Sequence, residues 1–374
     1  MVSMQRISIF IPVYRESALL DASLKSLIED PYRRKEIFVV IDEPTARSLE
    51  LTEKYGNKVR FILNGKRKGK VNALNEAINL SKGDLFLFLD DDVKVSRNPG
   101  AFLASISDEL DKADLIQVKE RTIRESFLAK MVGYDDVGFN FVYFMFSKLL
   151  GRCPGVSGPA FAIRRDVFEE VGGFRRVIQD DFDIGIRAFL GNKRFKFVEN
   201  MEVSAEAPAS WKEWFKQRRR WGFGAALCIK DYFKQLLRMV VRYPQVLVPS
   251  LFFIFPSLTL LLSQFFISNA LVEKLLMVFL TFMPMKLSIL MLPISLTLMG
   301  IVFVKNMLLS FVSFGFFSVL FYLMAKRLDY KFSPVEFAFY FFVYSPMWLF
   351  IVIVSLIKVF LFSTKMELED SLEL

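Results

Sequence analysis

The stretch Asp84-Leu85-Phe86-Leu87-Phe88-Leu89-Asp90-Asp91-Asp92-Val93-Lys94-Val95 joins a short apolar run to three consecutive carboxylates. Leu85 to Leu89 has the length and flanks of a strand buried on both faces, as in a mostly parallel sheet. In open α/β sheets ligands gather beyond the carboxyl ends of the strands, which is where the three acids fall. Adjacent carboxylates repel one another unless solvent or a cation relieves them, and a hard cation with oxygen ligands is the natural partner. By itself the cluster is equally what a solvated acidic turn looks like.

The segments around it repeat the pattern. Arg6 to Tyr14 is a strand-like run ended near Pro12, and Arg15 to Glu29 has helical spacing with Leu19, Leu20, Leu24 and Leu27 on one face. Lys35 to Asp42 is a second strand ending in acid, Thr45 to Tyr55 is helical, Val59 to Leu63 is a third strand and Lys70 to Leu80 a helix. This alternation predicts βαβ units on a parallel sheet. Tyr14 to Glu16, Asp42 to Glu43 and Asp90 to Asp92 would then line one edge, as in a nucleotide-type site. Further on, Asp114 to Lys119 reads as a strand. Ser126 to Leu150 reads as a long aromatic helix interrupted at Gly133 and Gly138, which covers the site or lies near a membrane. Gly155 to Arg164 is a loop entering a strand, and Arg165 to Val171 a helix. Asp180 to Asp183 opens a helix over Ile184 to Leu190, where acids suit the dipole, and Phe195 to Met201 is a strand.

Composition divides the chain. Of its 374 residues 53% are hydrophobic, 42 of them Phe, and the first 242 residues hold 41 of the 49 basic and 33 of the 40 acidic side chains. A soluble-type domain followed by a membrane domain is the simplest division. The absence of His excludes His-activated nucleophiles and His metal ligation, leaving carboxylates as general bases. Cys153 and Cys228 imply neither a disulfide framework nor a zinc site. The net charge of +9 suits an anionic membrane surface or a phosphate-bearing substrate; without a recognisable nucleic-acid module, nucleic acid is not expected as a partner. The chain enters its first strand without a signal peptide, so the first domain is expected to be cytoplasmic.

Ser210 to Tyr243 holds Trp211, Trp214 and Trp221 beside Lys216-Gln217-Arg218-Arg219-Arg220, and reads as amphipathic helices at a membrane surface. Val246 to Ile267, Leu275 to Val304, Met307 to Ala325 and Phe337 to Ile357 are candidate spans, about four in all, in a multi-pass protein of the cell membrane. The expected division is a catalytic domain over residues 1–208, interfacial helices over 209–242, spans over 243–362 and an acidic tail over 363–374.

Read in order, several motifs together resemble the family 2 glycosyltransferases of the GT-A fold. They are Ile11-Pro12-Val13-Tyr14-Arg15-Glu16, Val40-Ile41-Asp42-Glu43, Gly69-Lys70-Val71-Asn72-Ala73-Leu74-Asn75 and Leu89-Asp90-Asp91-Asp92. Gly158-Pro159-Ala160 leading to Ile163-Arg164-Arg165, Gly172-Gly173-Phe174, Asp180-Asp181 and Gln217-Arg218-Arg219-Arg220-Trp221 complete the set. The likeness covers roughly residues 5 to 225, and within the family it is nearest to the membrane-embedded branch of cellulose and hyaluronan synthases. An isolated Asp-x-Asp is weak; the ordered set is specific.

The resemblance implies an α/β domain that moves a sugar, with inversion, from a nucleotide diphosphate, usually a uridine diphosphate, to an acceptor hydroxyl. Pro12, Tyr14, Glu16, Asp42, Lys70 and Asp90 would meet the nucleotide. Asp90 and Asp92 would hold Mg²⁺ or Mn²⁺ against the diphosphate, with Asp91 a spacer. Asp181 would be the general base, beside Asp180 where the family has Glu. Gln217, Arg220 and Trp221 would meet the diphosphate and acceptor, while Arg218 and Arg219 are left to membrane phosphates. Arg15 stands where the family commonly has Asn. The acceptor is expected to be lipid-linked or a saccharide. A processive polysaccharide synthase is the alternative, and a nucleotide-binding scaffold without turnover the different class.

Overall fold

The computed structural model describes residues 5–95, 102–266 and 298–362, together with Lys274, Val278 and Phe282. By compactness the chain divides into Met1–Leu247 with Ile351–Leu374 and, separately, Val248–Phe350.

The first unit is built on one eight-stranded sheet. Its strands are β1 (Ile7–Tyr14), β2 (Lys35–Asp42), β3 (Arg60–Asn64), β4 (Leu85–Leu89), β5 (Val93–Val95), β6 (Leu115–Thr122), β7 (Ala160–Arg164) and β8 (Phe195–Ala205), in the order β3-β2-β1-β4-β7-β6-β8-β5. The half from β3 to β4 is parallel. Beyond β4 the sheet is mixed: β7 is antiparallel to β4 and to β6, β8 is parallel to β6, and β5 is antiparallel to β8. The helices of this unit's α/β part are α1 (Leu20–Glu29), α2 (Ala46–Tyr55), α3 (Lys70–Leu80), α4 (Phe102–Leu110), α5 (Phe127–Leu149), α6 (Arg165–Glu170) and α7 (Asp180–Leu190).

Both sheet faces are covered, which is why β4 is apolar throughout and β1 is broken only by Ser8, whose hydroxyl donates to Glu36 at 2.5 Å. Ile7, Ile9, Ile11 and Val13 point to the side packed by Leu20, Leu24 and Leu27 of α1. The opposite side is a layer of rings: Phe10 packs on Phe38 at 5.4 Å and on Phe88 at 5.3 Å, and Phe88 meets Phe174 at 4.8 Å. Phe168 joins the same layer, so α6 and the turn after it are held by aromatic contact. Offset and edge-to-face rings of this kind add about 0.5–1.5 kcal/mol each to simple burial.

Most expected elements fall where the periodicity places them, and the departures have local causes. The first helix begins at Leu20 rather than Arg15. Arg15 turns into the left-handed region (φ 64) so that its N–H can reach the Asp42 carbonyl at 2.8 Å, and the chain needs the next residues to recover. Thr45 does not enter α2 but caps it, in a reciprocal box with Ser48. The long helix α5 runs straight through Gly133 and Gly138; Ser126 caps it by accepting from the Ala129 N–H. Helix α7 starts at Asp180, four residues before its apolar periodicity shows.

Two further helices of this unit follow, α8 (Trp211–Asp231) and α9 (Phe233–Arg242), and then α10 (Pro244–Ile254). Helix α9 carries Lys234, Arg238 and Arg242 opposite Phe233, Leu236 and Val240, the pattern expected of an interfacial helix. Helix α8 is different, since Trp214, Arg218 and Gly222 are buried along one side.

In the second unit α11 (Leu258–Phe266) and α12 (Leu298–Arg327) precede α13 (Pro334–Phe339) and a π-helical turn at Tyr340–Tyr344; the turn runs into α14 (Ser345–Leu361), whose residues from Ile351 onward belong to the first unit. The segment expected as a single span over 246–267 is α10 and α11, broken around Pro256. Val302–Arg327 and Pro334–Leu361 are long and apolar enough to cross a membrane, and a third crossing follows only if Phe233–Arg242 and Pro244–Ile254 count as one bent span. The segment expected over Leu275 to Val304 lies largely outside the described residues, as does the tail over 363–374.

Candidate active site

The site grows from the antiparallel entry of β7. Because β7 runs against β4, pairing Leu89 with Ala160, the start of β7 is delivered to the end of β4. The Asp90 N–H donates to the Pro159 carbonyl at 3.3 Å, and Gly158 is pressed against the acids. A Cβ there would lie 2.7 Å from Asp90 Oδ2 and 3.4 Å from both Asp181 Oδ2 and Lys70 Nζ. Only a residue without a side chain fits this cradle.

Helix α7 brings Asp181 to the same point. Its second turn sits directly on the loop before β7: a Cβ on Gly185 would lie 2.5 Å from Gly155 Cα. Asp181 Oδ2 accepts from the Gly158 N–H at 2.9 Å and Oδ1 from the Phe182 N–H at 2.8 Å. Burial, and then Asp180, push the Asp181 carboxyl up to about 6, against the lowering pull of Lys70. A carboxylate at that value can take a proton near neutral pH, which suits a general base. Lys70, first residue of α3, reaches Asp90 Oδ1 at 2.6 Å. Burial works against its charge, but Asp90, Asp180 and Asp181 outweigh that and hold it firmly protonated.

Asp90, Asp91 and Asp92 join β4 to β5, passing from the middle of the sheet to its edge. The loop is tied on both sides, by Ser17 Oγ donating to the Asp91 carbonyl and by the Glu206 N–H donating to the Asp92 carbonyl at 3.1 Å. Burial and the repulsion of Asp90 push Asp91 and Asp92 each up to about 7. Such a set is short of positive charge and fits a hard divalent cation. Among the described residues no group of three or more acids, Cys or His is arranged to hold a metal by itself, so other oxygens must complete any coordination.

A cleft of about 620 Å³ opens beside Asp92. Tyr14, Asp92, Gln217 and Arg220 line it together, although they come from three separate parts of the chain, the last two from α8. Its lining also includes residues that the motifs did not single out, notably Arg67, Glu206, Glu213 and Lys216. Arg67 lies 4.3 Å over the Tyr14 ring; its basic, glycine-bounded loop (Gly65-Lys66-Arg67-Lys68-Gly69) was the signal available for it. Glu213 and Lys216 stand one helical turn before Gln217 and Arg220 on α8, a spacing that the sequence does show.

The remaining expected residues are placed as follows. Asp42 is buried and its carboxylate is occupied by protein: Oδ1 accepts from Asn64 Nδ2, and Oδ2 from the Lys68 and Gly69 N–H groups, all at 2.8 Å. It thereby fixes the loop that carries Arg67 and starts α3, where Gly69 takes φ 83. Glu16 accepts from Thr45 Oγ1 at 2.7 Å, and Tyr14 donates to Glu43 at 3.1 Å. Pro12 pairs with Val40 of β2, beyond the last β1–β4 pair, Phe10 with Phe88. Asp180 is buried at the head of α7. Asp183 is in a buried ion pair with Arg187 at 2.6 Å, and Arg187 also donates to the Val171 and Gly173 carbonyls, closing the turn in which Gly172 and Gly173 have positive φ.

Arg218 overturns one expectation. It is not available to membrane phosphates: its side chain is 1% exposed and pairs with Asp135 Oδ2 of α5 at 2.7 Å, while its guanidinium lies 4.3 Å over the Trp221 ring. Arg219 is exposed. A second acidic group lies behind the site, where burial, then Asp136 and Asp92, push Glu120 well above the usual carboxylate range.

Comparison with known proteins agrees with the motif order. The sequence pattern of glycosyl transferase family 2 matches residues 8–172. That stretch is a family 2 glycosyl transferase domain. Among curated relatives, the chain is 24% identical over 250 residues to the probable glycosyltransferase YdaM of Bacillus subtilis, covering 64% of this chain and 60% of that one. It is 22% identical over 238 residues to the poly-beta-1,6-N-acetyl-D-glucosamine synthase of Staphylococcus aureus, covering 62% of this chain and 58% of that one. The matched part thus spans less than two thirds of either relative. Among solved structures, the mannosyltransferase PcManGT from Pyrobaculum calidifontis, in complex with GDP-Man and Mn²⁺, superposes with a TM-score of 0.49 at 18% identity, over 62% of this chain and 65% of that one. The matched stretch runs from the second residue of β1 through β7, and leaves out α7, α8 and the cleft residue Glu206.

Proposed function

We propose that the chain is an inverting, metal-dependent glycosyltransferase that moves a sugar from a nucleotide-diphosphate donor, a uridine diphosphate sugar by preference, to a membrane acceptor. The observation that carries the reading is the meeting of Asp181, Asp90 and Lys70 around Gly158, next to a cleft lined by Asp92, Gln217 and Arg220. A base, a cation site and cationic donors for a leaving group are the parts an inverting displacement needs.

In this reading Tyr14, Glu16 and Arg67 line the nucleoside end, with Asp42 holding their loop. Asp90 and Asp92 would hold Mg²⁺ or Mn²⁺, which when bound acts as a Lewis acid on the diphosphate. Asp181 takes the proton of the acceptor hydroxyl as its oxygen bonds to the anomeric carbon, and the bond from that carbon to the diphosphate oxygen breaks. The nucleoside diphosphate departs with the bonding pair. Lys70 and Arg220 counter its charge, Arg220 in a bidentate fashion, and Gln217 donates beside it. Trp221 offers a flat indole to the acceptor sugar.

The two long apolar helices and the cationic, apolar-faced α9 support an acceptor at the membrane, and we favour a lipid-linked or short saccharide one. The likeness to a poly-N-acetylglucosamine synthase favours the second reading, a processive synthase. The test is protein purified in detergent, screened with nucleotide sugars and Mg²⁺ or Mn²⁺ for release of the nucleoside diphosphate, with product length read on a gel. Release from one donor that is lost on chelation and in Asp181→Asn is expected. Full activity in Asp181→Asn, or in chelator, would overturn the mechanism, and no release from any donor would overturn the activity.

A further inference from the structure

Helix α8 presents two faces. Trp214, Arg218 and Gly222, four residues apart, are buried, whereas Glu213, Gln217 and Arg220, spaced by four and three, face the cleft. At 100° per residue these stripes are adjacent, so a rotation of α8 by one position would take Gln217 and Arg220 out of the cleft. Close packing at Gly222, where a Cβ would lie 3.0 Å from Ser355 Oγ, limits such a rotation, and the buried ion pair adds a directional contact on the same stripe.

We propose that Asp135 and Arg218 are positioning residues for transfer: their buried pair fixes the rotation of α8 and so aims Gln217 and Arg220 at the donor. The proposal rests on the reading of the cleft given above. The pair joins residues 83 apart at 2.7 Å, with the two side chains 1% and 4% exposed. Its other end is rigid. Asp136, next to Asp135, accepts from the Thr122 N–H of β6 at 2.7 Å, and Asn140 donates to the Glu120 carbonyl at 3.0 Å, so α5 is clamped to the sheet on the turn that offers Asp135. Strand β6 is in turn the parallel partner of β8, which ends at Ala205 just before the cleft residue Glu206. The Arg218 guanidinium lies over the Trp221 ring as well, so one contact sets the helix and backs the indole. A buried charge pair adds little net stability compared with an apolar pair of the same volume, but it can specify a register.

The test compares Asp135→Asn and Arg218→Lys with the paired apolar variant Asp135→Leu/Arg218→Met. An exposed position of the same helix outside the cleft serves as the control, Lys212→Gln. Nucleoside diphosphate release gives kcat and donor KM, and scanning fluorimetry gives Tm. The single variants are expected to lose about ten-fold or more in kcat with donor KM changed less than about three-fold. The paired variant is expected to melt near the wild type yet keep the kcat loss, and the control to match the wild type. A paired variant with wild-type kcat would overturn the proposal, since the pair would then serve stability alone. The readout that does not need turnover is the ¹⁹F spectrum of 5-fluorotryptophan protein, with the Trp221 line assigned through Trp221→Phe. If no donor is turned over at all, the proposed activity fails, but the aiming role stands or falls on this line. It is expected to move in Asp135→Asn, which keeps the Arg218 guanidinium, and a line left in place there would overturn the role.

Discussion

Gly158→Ala isolates the geometry of the site from its stability. The added Cβ would lie 2.7 Å from Asp90 Oδ2, and ordinary contact begins near 3.4 Å, so the carboxylate must retreat by about 0.7 Å. Its retreat is opposed by Lys70, bonded to the other Asp90 oxygen at 2.6 Å, and the new methyl is boxed in by Lys70 Nζ and Asp181 Oδ2 at 3.4 Å each. A misplacement of about 1 Å costs about 10²-fold in rate, so a loss of about 10- to 100-fold in kcat is expected. Gly158 does not use the left-handed region, and Ala there lowers the entropy of the unfolded chain, so the fold should be unharmed. Steady-state release of the nucleoside diphosphate, measured beside a thermal melt, checks both halves. Wild-type kcat with an unchanged melt would refute the cradle; lost activity with a collapsed melt would refute the claim that the glycine serves the site rather than the fold.

Three other outcomes follow from the same geometry. Asp42→Ala strips three donors of their acceptor and frees the loop bearing Arg67, so nucleotide affinity by calorimetry should fall about ten-fold or more, whereas an unchanged affinity would show the loop to be self-supporting. Arg187→Met leaves Asp183 charged and buried and unties the Gly172-Gly173 turn, at a cost of about 3–5 kcal/mol in chemical denaturation of the first unit; a cost under about 1 kcal/mol would contradict the pair's role. Asp181 must be ionised to act as a base, so log kcat should rise with pH through about 6 and level off above it, and a kcat that does not change across that range would contradict the role. Because its folded value lies above the usual 3.8, the native state holds that proton more tightly than the unfolded chain. This group's contribution to stability is therefore full below 3.8 and lost as pH rises to about 6, opposite to the trend in activity.

How far the sequence could be read depended on the range of the contacts. Strands β1, β2 and β4 and helix α3 follow from apolar runs and periodicity, since both faces of the sheet are covered and the signal is local. Strand β5 and the last residues of β8 did not show, because Val93–Val95 is a strand only through pairing with Val203–Ala205, over a hundred residues on. The acids, Lys70, Asp181 and Gln217 to Trp221 could be listed from motifs, but not the reason they meet. For Asp90, Lys70 and Asp181 that reason is the antiparallel entry of β7, which no periodicity announces. Arg218 was misread because a basic run ahead of apolar segments looks like a membrane belt. Its partner Asp135 sits in an aromatic helix where two adjacent acids, Asp135 and Asp136, were themselves a sign of buried pairing.

Strand β4 stands at the seam of the sheet, bonded to β1 in the parallel half and to β7 in the mixed half, and the three acids leave from its end. Neither half can open without breaking a ladder on this strand. Slow amide exchange should therefore be deepest at Phe86 to Phe88, and the acids inherit the protection of the most stable part of the molecule rather than that of a surface loop. Heat inactivation then coincides with cooperative melting of the whole sheet, with no folded but inactive stage between them.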